Sequence, residues 1–286
     1  MFLKVLGLYF ILENQYIRTG KEEEMKKLIV LVMVLALGVA CAACGKKEEN
    51  KTDTNTTTTT PEPTKEVDFT KSEGVMTYQQ YADAEVDAAV TVETFVQDKQ
   101  SWWEDKATIY TQDNEGAYFI YEMKCSKEEY DKLVKGQKIR VKGFKADFQG
   151  EKEIADGTLE ILEGNYVAEP TDVTSYLGTD DIVKYQNRLV TFKGMTVAAS
   201  TDADGNEVAY LYKWNGSGQE GDDLYFNVEL NGNTYTFTVE SYLRDKDSDV
   251  YKAVKNLKVG DKVDLTGFLY WYDTVNPHII EVSAAK

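Results

Sequence analysis

The sequence predicts a mainly β protein with two tandem five-stranded barrels, each with one helix between its third and fourth strands, after a signal peptide and a disordered tether. An internal repeat carries this prediction. Residues 133–144 align without gaps on residues 257–268, and a leucine, two glycines, a lysine and a phenylalanine coincide. A self-match at domain-sized spacing implies two copies of one fold. Short alternating apolar runs flank both copies, as expected for strands.

Residues 25–43 have the pattern of a secretory signal peptide. Two lysines give a positive start, an apolar run covers 28–39, and small residues precede Cys44. This run is shorter than the about 20 apolar residues needed to cross a bilayer, so we expect cleavage rather than a transmembrane helix. Residues 1–24 are interpreted as a mis-called translation start, with a genuine N-terminal extension as the alternative.

The residues around Cys44 resemble the bacterial lipobox. Ala42 and Ala43 precede Cys44, and Gly45 follows it. The resemblance implies that a diacylglyceryl group is attached to Cys44 and that the chain is cut on the N-terminal side of this cysteine. It therefore implies a lipoprotein on the extracytoplasmic face of the bacterial cell membrane, with the membrane as a partner. Cys41 stands where an aliphatic residue is usual, and it is the alternative attachment site.

Residues 44–74 are expected to form the lipidated cysteine and a disordered tether. They are rich in Lys, Glu, Asn, Asp, Pro and Thr and hold almost nothing apolar to bury. A flexible chain of roughly 30 residues has an r.m.s. reach of roughly 30 Å, which is enough to lift the folded part off the lipid headgroups.

The chain is acidic, with a formal net charge of −17. Binding to DNA or RNA through phosphate groups depends on Lys and Arg, so nucleic acid is not expected as a partner. After cleavage and lipidation only Cys125 remains as a free cysteine, so no intramolecular disulfide can form. We interpret Cys125 as a small buried apolar residue rather than a reactive thiol.

The first barrel is predicted over residues 75–166. Its helix starts at a capping box formed by Ser126 and Glu129 and ends before Gly136. The first repeat block is the fourth strand. The other strands follow from alternating apolar positions and lie near 90–96, 107–111, 117–123 and 158–162.

The second barrel is predicted over residues 167–286. A helix at about 249–257 precedes the second repeat block, and a turn at Asn231 and Gly232 joins two of its strands. Strands are expected near 189–197, 208–213, 224–229, 234–239 and 278–282. Three strands, a helix and two strands is the order of the OB-fold, a small closed Greek-key barrel.

Three segments of the first copy resemble the OB-fold modules of secreted bacterial proteins, some of which are attached to extracellular nucleases. They read TIYTQD at 108–113, GAYFI at 116–120 and GQKIRVKG at 136–143. The resemblance covers residues 77–162 well and the second copy more weakly. It implies the fold and says little about the ligand, because sites vary on a shared scaffold.

Aromatic residues gather in the loops that an OB barrel uses for binding. Such a barrel binds along its second and third strands, between the loop joining strands one and two and the loop joining strands four and five. The candidate ligand-binding residues are Trp102 and Trp103 in the first barrel and Tyr270, Trp271 and Tyr272 in the second. Their flat faces suit stacking on sugar rings or bases, with packing between the barrels as the alternative.

Other candidate sites are weaker. Lys138, Arg140 and Lys142 share one face of a strand, which we interpret as a solvated face rather than a phosphate stripe. The acidic loop around Gly205 lacks the spacing of a calcium loop and is interpreted as a turn. His278 is the single histidine, and no motif marks a nucleophile with a base. We therefore expect no metal, no cofactor and no enzymatic activity.

These observations lead to one expected function and two alternatives. The leading expectation is a lipid-anchored extracytoplasmic binding protein without catalytic activity, whose ligand is a glycan, a peptide or another envelope component. The first alternative is a structural or assembly lipoprotein that docks on a partner protein. Nucleic-acid binding, suggested by the fold resemblance alone, ranks third.

Overall fold

The structure is a computed structural model that describes residues 67–285. The segment 1–24, the predicted signal peptide at 25–43, Cys44 and the tether up to residue 66 lie outside the described residues. Within the described part, no helix has the length and apolar character needed to cross a membrane.

The elements of the first barrel are, in chain order, α1 (Tyr78–Asp83), β1 (Ala89–Lys99), β2 (Lys106–Gln112), β3 (Ala117–Lys124), α2 (Lys127–Lys132), β4 (Gln137–Phe148) and β5 (Glu151–Asn165). The barrel is closed, with strands hydrogen-bonded in the order β1–β2–β3–β5–β4. Pairing of β1 with β4 completes the circle, and β3 runs parallel to β5 while the other neighbours are antiparallel.

The second barrel repeats this connectivity. Its elements are β6 (Thr171–Asp172), β7 (Leu189–Ala198), β8 (Ser200–Thr201), β9 (Glu207–Val208), β10 (Leu211–Tyr212), β11 (Leu224–Leu230), β12 (Asn233–Val239), α3 (Asp249–Lys255), β13 (Lys262–Phe268), β14 (Trp271–Tyr272), β15 (Thr274–Val275) and β16 (His278–Ala284). Two 3-10 helices, Thr174–Tyr176 and Asp180–Tyr185, lie between β6 and β7. The barrel strands follow the order β7–β11–β12–β16–β13, and pairings of β7 with both β11 and β13 close the barrel.

The predicted fold class is confirmed: both barrels have five strands in OB-fold order, with a helix between the third and fourth. The capping box of α2 is present as predicted, because Ser126 Oγ accepts the Glu129 N–H while the Glu129 carboxylate accepts the Ser126 N–H. The strand predicted at 208–213 is wrong. That segment forms only β9 and β10 within the long connection from β7 to β11, where turns at Lys213 and Gly216, both with positive φ, interrupt extended chain.

The end of the predicted tether packs on the first barrel instead of being disordered. Phe69 lies edge-on to Phe95 and Tyr166, with ring centroids 5.7 and 5.0 Å apart. Lys71 Nζ lies 2.6 Å from the buried Asp113 carboxylate. An aromatic residue and a paired lysine give this stretch contacts that its polar composition does not predict, so the tether boundary of residue 74 is too late.

The two glycines of the internal repeat mark the same irregularity in each barrel. The register of β4 against β5 shifts around Gly143, and that of β13 against β16 shifts at Gly267. A Cβ at Gly143 would lie 2.6 Å from the Ala155 carbonyl oxygen, and one at Gly267 would lie 2.3 Å from the His278 carbonyl oxygen. Both positions therefore require glycine, because the neighbouring backbone comes too close for a side chain.

Each barrel has its own buried apolar cluster, and a third cluster joins the two. Tyr110 of β2 stacks on Phe268 of β13, with centroids 4.4 Å apart and an interplanar angle of 20°. Phe119, Leu189 and Leu243 complete this junction cluster. Polar links reinforce the junction: Gln112 Oε1 accepts the Leu189 N–H at 2.8 Å, and Arg244 pairs with Asp98.

Candidate ligand-binding groove

A groove of about 870 Å³ lies where the binding faces of the two barrels meet. On the outer face of β2 and β3, Tyr110 and Phe119 belong to the junction cluster. Phe119 also borders the groove, together with Thr108 and Tyr121 one pleat away. The second barrel contributes β11, the end of β12 and the loops after β7 and β13. The groove thus uses the strands and loops with which OB barrels bind their ligands.

Large aromatic side chains stand exposed around this groove. Trp103, Trp214 and Tyr242 are 64%, 74% and 64% exposed, and Tyr121 and Tyr272 are also exposed at its edge. Exposed large rings gathered around one concavity mark an interaction site more than scattered ones do. Their faces can stack on flat ligand rings.

Trp103 is held out by a tight turn. Its backbone forms hydrogen bonds in both directions with Lys106, of 2.9 and 3.4 Å, and the two central residues, Glu104 and Asp105, have φ of 47° and 57°. Positive φ at both central residues is the geometry of a two-residue hairpin turn. Ser101 N–H donates to the Tyr242 carbonyl oxygen at 2.7 Å, so this loop is tied to the second barrel.

His278 lies at the start of β16 and lines the groove although only 7% of it is exposed. Its Nδ1 lies 2.6 Å from the Tyr110 hydroxyl, and its ring stacks on Tyr270 with centroids 4.2 Å apart. Burial lowers the pKa of His278 to about 3, so the imidazole is neutral at physiological pH. Burial also raises the pKa of Tyr110 well above its ordinary value, so the phenol keeps its proton.

Two carboxyl groups face each other in the groove. Glu240 follows β12 and Asp223 precedes β11, and the pairing of Leu224 with Val239 places them opposite each other. Burial, followed by the nearby Asp223 charge, raises the pKa of Glu240 to about 7, although the backbone N–H groups of Tyr242 and Leu243 oppose this.

The groove offers little attraction for phosphate groups. Lys106 is the one cationic side chain among the described residues that line it, and its Nζ lies 2.5 Å from the Glu122 carboxylate. Elsewhere, Lys138 and Arg140 pair with the buried Glu93 at 3.2 and 2.7 Å. Their charge is compensated within the protein, as expected for a structural strand face rather than a phosphate stripe.

The structure brings three of the five predicted binding residues into the groove: Trp103, Tyr270 and Tyr272. Trp102 does not line the groove; its Nε1 donates to the Cys125 carbonyl oxygen at 2.9 Å. Trp271 packs against the core of the second barrel.

Sequence reasoning missed Trp214, Tyr242 and the Glu240–Asp223 pair. Trp214 is followed by Asn, Gly and Ser. These residue types are typical of turns, so the sequence could have indicated that Trp214 lies in an exposed loop. Tyr242 comes shortly after the strand predicted at 234–239, separated from it by Glu240 and Ser241. The position of Tyr242 in the groove depends on how the two barrels pack together, and the local sequence around Tyr242 does not indicate that packing.

Cys125 is buried, as the sequence suggests. Burial raises the pKa of its thiol to about 11. The thiolate that a nucleophile requires is therefore scarce at neutral pH.

Two closed barrels of this connectivity make the chain a tandem OB-fold protein. No family model matches the chain, and no curated protein matches it. Among solved structures it is similar to the HINa domain of Ifi202 in complex with 20-base-pair double-stranded DNA, with a TM-score of 0.32 and 11% identity over 70% of this chain and 100% of that chain. It is also similar to a replication protein A heterotrimer bound to single-stranded DNA, with a TM-score of 0.28 and 11% identity over 69% of this chain and 49% of that one.

These comparisons correct two expectations from the sequence. A glycan, peptide or other envelope component was ranked first as ligand, and nucleic acid was not expected as a partner, whereas the similar structures include OB-fold proteins bound to DNA. The first expectation and the exclusion of nucleic acid are both withdrawn. At 11% identity the likeness concerns the fold, so the ligand has to be argued from the groove of this chain.

Proposed function

We propose that the protein is a non-catalytic binding protein for single-stranded nucleic acid, with the groove between the barrels as its site. The observation that carries this proposal is the set of exposed rings, above all Trp103, Trp214 and Tyr242, around a concavity on the OB-fold binding face. Every base has a flat face, and stacking on aromatic side chains contributes about 1–3 kcal/mol per base. A duplex keeps its bases stacked on one another, so a single strand is the form that fits.

The charges of the groove determine how such a strand lies. Asp223 and Glu122 repel phosphate groups, and Lys106 is already paired. The bases therefore enter the groove while the sugar–phosphate backbone stays toward solvent. Affinity should then depend weakly on salt, because few counterions are released from phosphates when the strand binds.

A neutral-backbone analogue tests this orientation. We expect a nine-residue thymine peptide nucleic acid to bind at least as tightly as the DNA strand of the same sequence, and both affinities to change little between about 50 and 200 mM salt. Fluorescence anisotropy of labelled strands measures both. Trp214→Ala should weaken binding by about 1–3 kcal/mol, whereas Phe144→Ala, an exposed aromatic on β4 outside the groove, should not.

Binding that falls steeply with salt and disappears for the neutral analogue would show a phosphate-driven mode and reject the stacking groove. Equal effects of Trp214→Ala and Phe144→Ala would reject the assignment of the site.

We further propose that the groove is presented outside the cytoplasmic membrane by lipid on Cys44. The positive start, short apolar run and small residues before Cys44 support this. Cys44→Ala should release the protein from bacterial membranes and abolish palmitate labelling, whereas Cys41→Ala should leave both unchanged. Labelling that persists in Cys44→Ala and is lost in Cys41→Ala would place the anchor at the alternative cysteine.

A further inference from the structure

We propose that the floor of the groove prefers guanine, with His278 donating a hydrogen bond to O6 and the facing carboxyl groups of Asp223 and Glu240 accepting from N1 and the 2-amino group. This inference rests on the proposed function and names the base that the same site selects. Three features of the floor carry it: an unused nitrogen on a buried histidine, two carboxyl groups opposite each other, and the strand pairings that bring them together.

His278 has a polar atom that the protein leaves unpaired. Its side chain is more than nine-tenths buried and lines the groove, and Nδ1 is occupied by the Tyr110 hydroxyl. Within residues 67–285, Nε2 has no hydrogen-bond partner, and it is not among the fully enclosed unpaired atoms. Nε2 therefore meets whatever occupies the groove.

The protonation of this pair follows from hydrogen-bond counting. Both side chains are neutral, so the Tyr110 hydroxyl has one proton and the imidazole has one. If Nδ1 carried the imidazole proton, the buried Tyr110 O–H would lose its acceptor, because the neighbouring Gln100 side chain acts on the phenol as a donor. An unpaired buried donor is unfavourable. When Tyr110 donates to Nδ1, the buried hydroxyl is paired, and the imidazole proton is on Nε2, which lines the groove. His278 thus presents a donor to the groove.

The acceptors line the same groove as this donor. Asp223 Oδ1 is fixed by the Ser241 N–H and hydroxyl at 2.8 and 2.7 Å, while Oδ2 has no hydrogen-bond partner within the described residues. Backbone N–H groups of Tyr242 and Leu243, at 3.1 and 2.8 Å, orient the Glu240 carboxyl group.

Strand pairing brings the donor and the acceptors together. Thr238 of β12 pairs with His278, and Glu240 follows two residues later on the same face.

Among the bases, guanine has the matching edge. It presents O6 as an acceptor followed by two neighbouring N–H donors, at N1 and at the 2-amino group. Thymine and uracil have one N–H between two carbonyl oxygens, which would face the carboxyl groups unfavourably. Adenine and cytosine place an acceptor nitrogen beside their single amino group, so they also set an acceptor against a carboxyl oxygen. A good two-bond match discriminates by about 1–3 kcal/mol, or roughly fivefold to over a hundredfold.

The test uses nine-nucleotide thymidine strands with a central guanine, hypoxanthine, adenine or thymine, which carry equal charge. We expect the guanine strand to bind at least about fivefold more tightly than the hypoxanthine strand, which lacks only the 2-amino group. Asp223→Asn, which replaces the free acceptor by a donor, should remove this preference and leave the thymine strand bound. Asp204→Asn, the same change in an exposed loop outside the groove, should keep the preference.

Equal affinity for all four strands would overturn the guanine inference while the proposed function stands. Failure of every strand to bind would instead overturn the proposed function, and the inference with it. Retained thymine-strand binding in Asp223→Asn shows that the variant is folded. Glu240→Gln provides a second variant, and a preference that survives in both variants would also overturn the inference.

Discussion

Glu151 is a buried carboxyl group where the first barrel meets the second. Burial raises its pKa to about 8. Its Oε2 accepts the Trp271 N–H at 2.9 Å and the Gln186 amide at 3.3 Å. Oε1 of Glu151 and Oδ1 of Asn187 have no donor within the described residues, although the Asn187 side chain lies within hydrogen-bonding range of Glu151. Burial therefore keeps a proton on Glu151 in the folded chain up to about pH 8, although the hydrogen bonds with Asn187, Trp271 and Gln186 oppose this.

The pH dependence of stability follows from this proton. The unfolded chain releases it near pH 4.5 and the folded chain near pH 8, so the free energy of unfolding falls as pH rises through this window and levels off above it. Glu151→Gln keeps a neutral group at all pH values. We expect it to raise the free energy of unfolding at pH 8.5 by an amount on the order of a few kcal/mol, and to change it little at pH 4.5.

Urea unfolding at the two pH values measures this difference. Glu163→Gln removes an exposed carboxyl group from the same strand and should give similar stability changes at both. If Glu151→Gln gives the same change at pH 4.5 and pH 8.5, the raised pKa is wrong.

At the scale of the elements, the repeated glycine leaves no room for a side chain beside the paired backbone. Gly267→Ala should destabilise the protein by about 2 kcal/mol or more, because the new methyl group would press on the His278 carbonyl oxygen of the paired strand. Gly157→Ala is a matched change on β5, where a Cβ would first meet the flexible Met123 side chain at 3.0 Å. Gly157→Ala should therefore lower the free energy of unfolding by less than Gly267→Ala does. Thermal unfolding of both variants tests this order. A milder effect of Gly267→Ala would show that the backbone at the register shift between β13 and β16 can move to make room.

The elements show how far sequence reasoning reaches. Strands with alternating apolar residues and the Ser126 capping box are local patterns, and the structure has them where predicted. The sequence also predicts a strand at 208–213, but the turns at Lys213 and Gly216 prevent this segment from forming one continuous strand. The groove was predicted only in part, because loop aromatics such as Trp103 and Trp271 look alike in sequence. In the folded protein Trp103 is exposed, whereas Trp271 is half-buried.

For the whole molecule, the junction decides whether the barrels are independent. All buried residues of the second barrel's core lie after residue 167, so we propose that residues 167–286 form a domain. A fragment of these residues should fold cooperatively, as seen by circular dichroism. It should melt at a lower temperature than the full chain and bind an apolar dye, because Leu189, Leu243 and Phe268 lose their cover.

The matching fragment of residues 67–166 serves as the control, since its core is also self-contained. If the 167–286 fragment gives only a broad melting transition without fixed tertiary structure, the two barrels share one core and the domain boundary is wrong.

The strand pairing that closes each barrel has a consequence for the order of folding. Val90 pairs with Gly143 in the first barrel, and the equivalent Val190 pairs with Gly267 in the second, across a longer stretch of chain. Loop-closure entropy grows with that length, and folding slows as contacts become more distant in sequence. We therefore expect the first barrel to close sooner, with Tyr110 exposed to solvent until Phe268 reaches it. One wall of the groove would then form before the other.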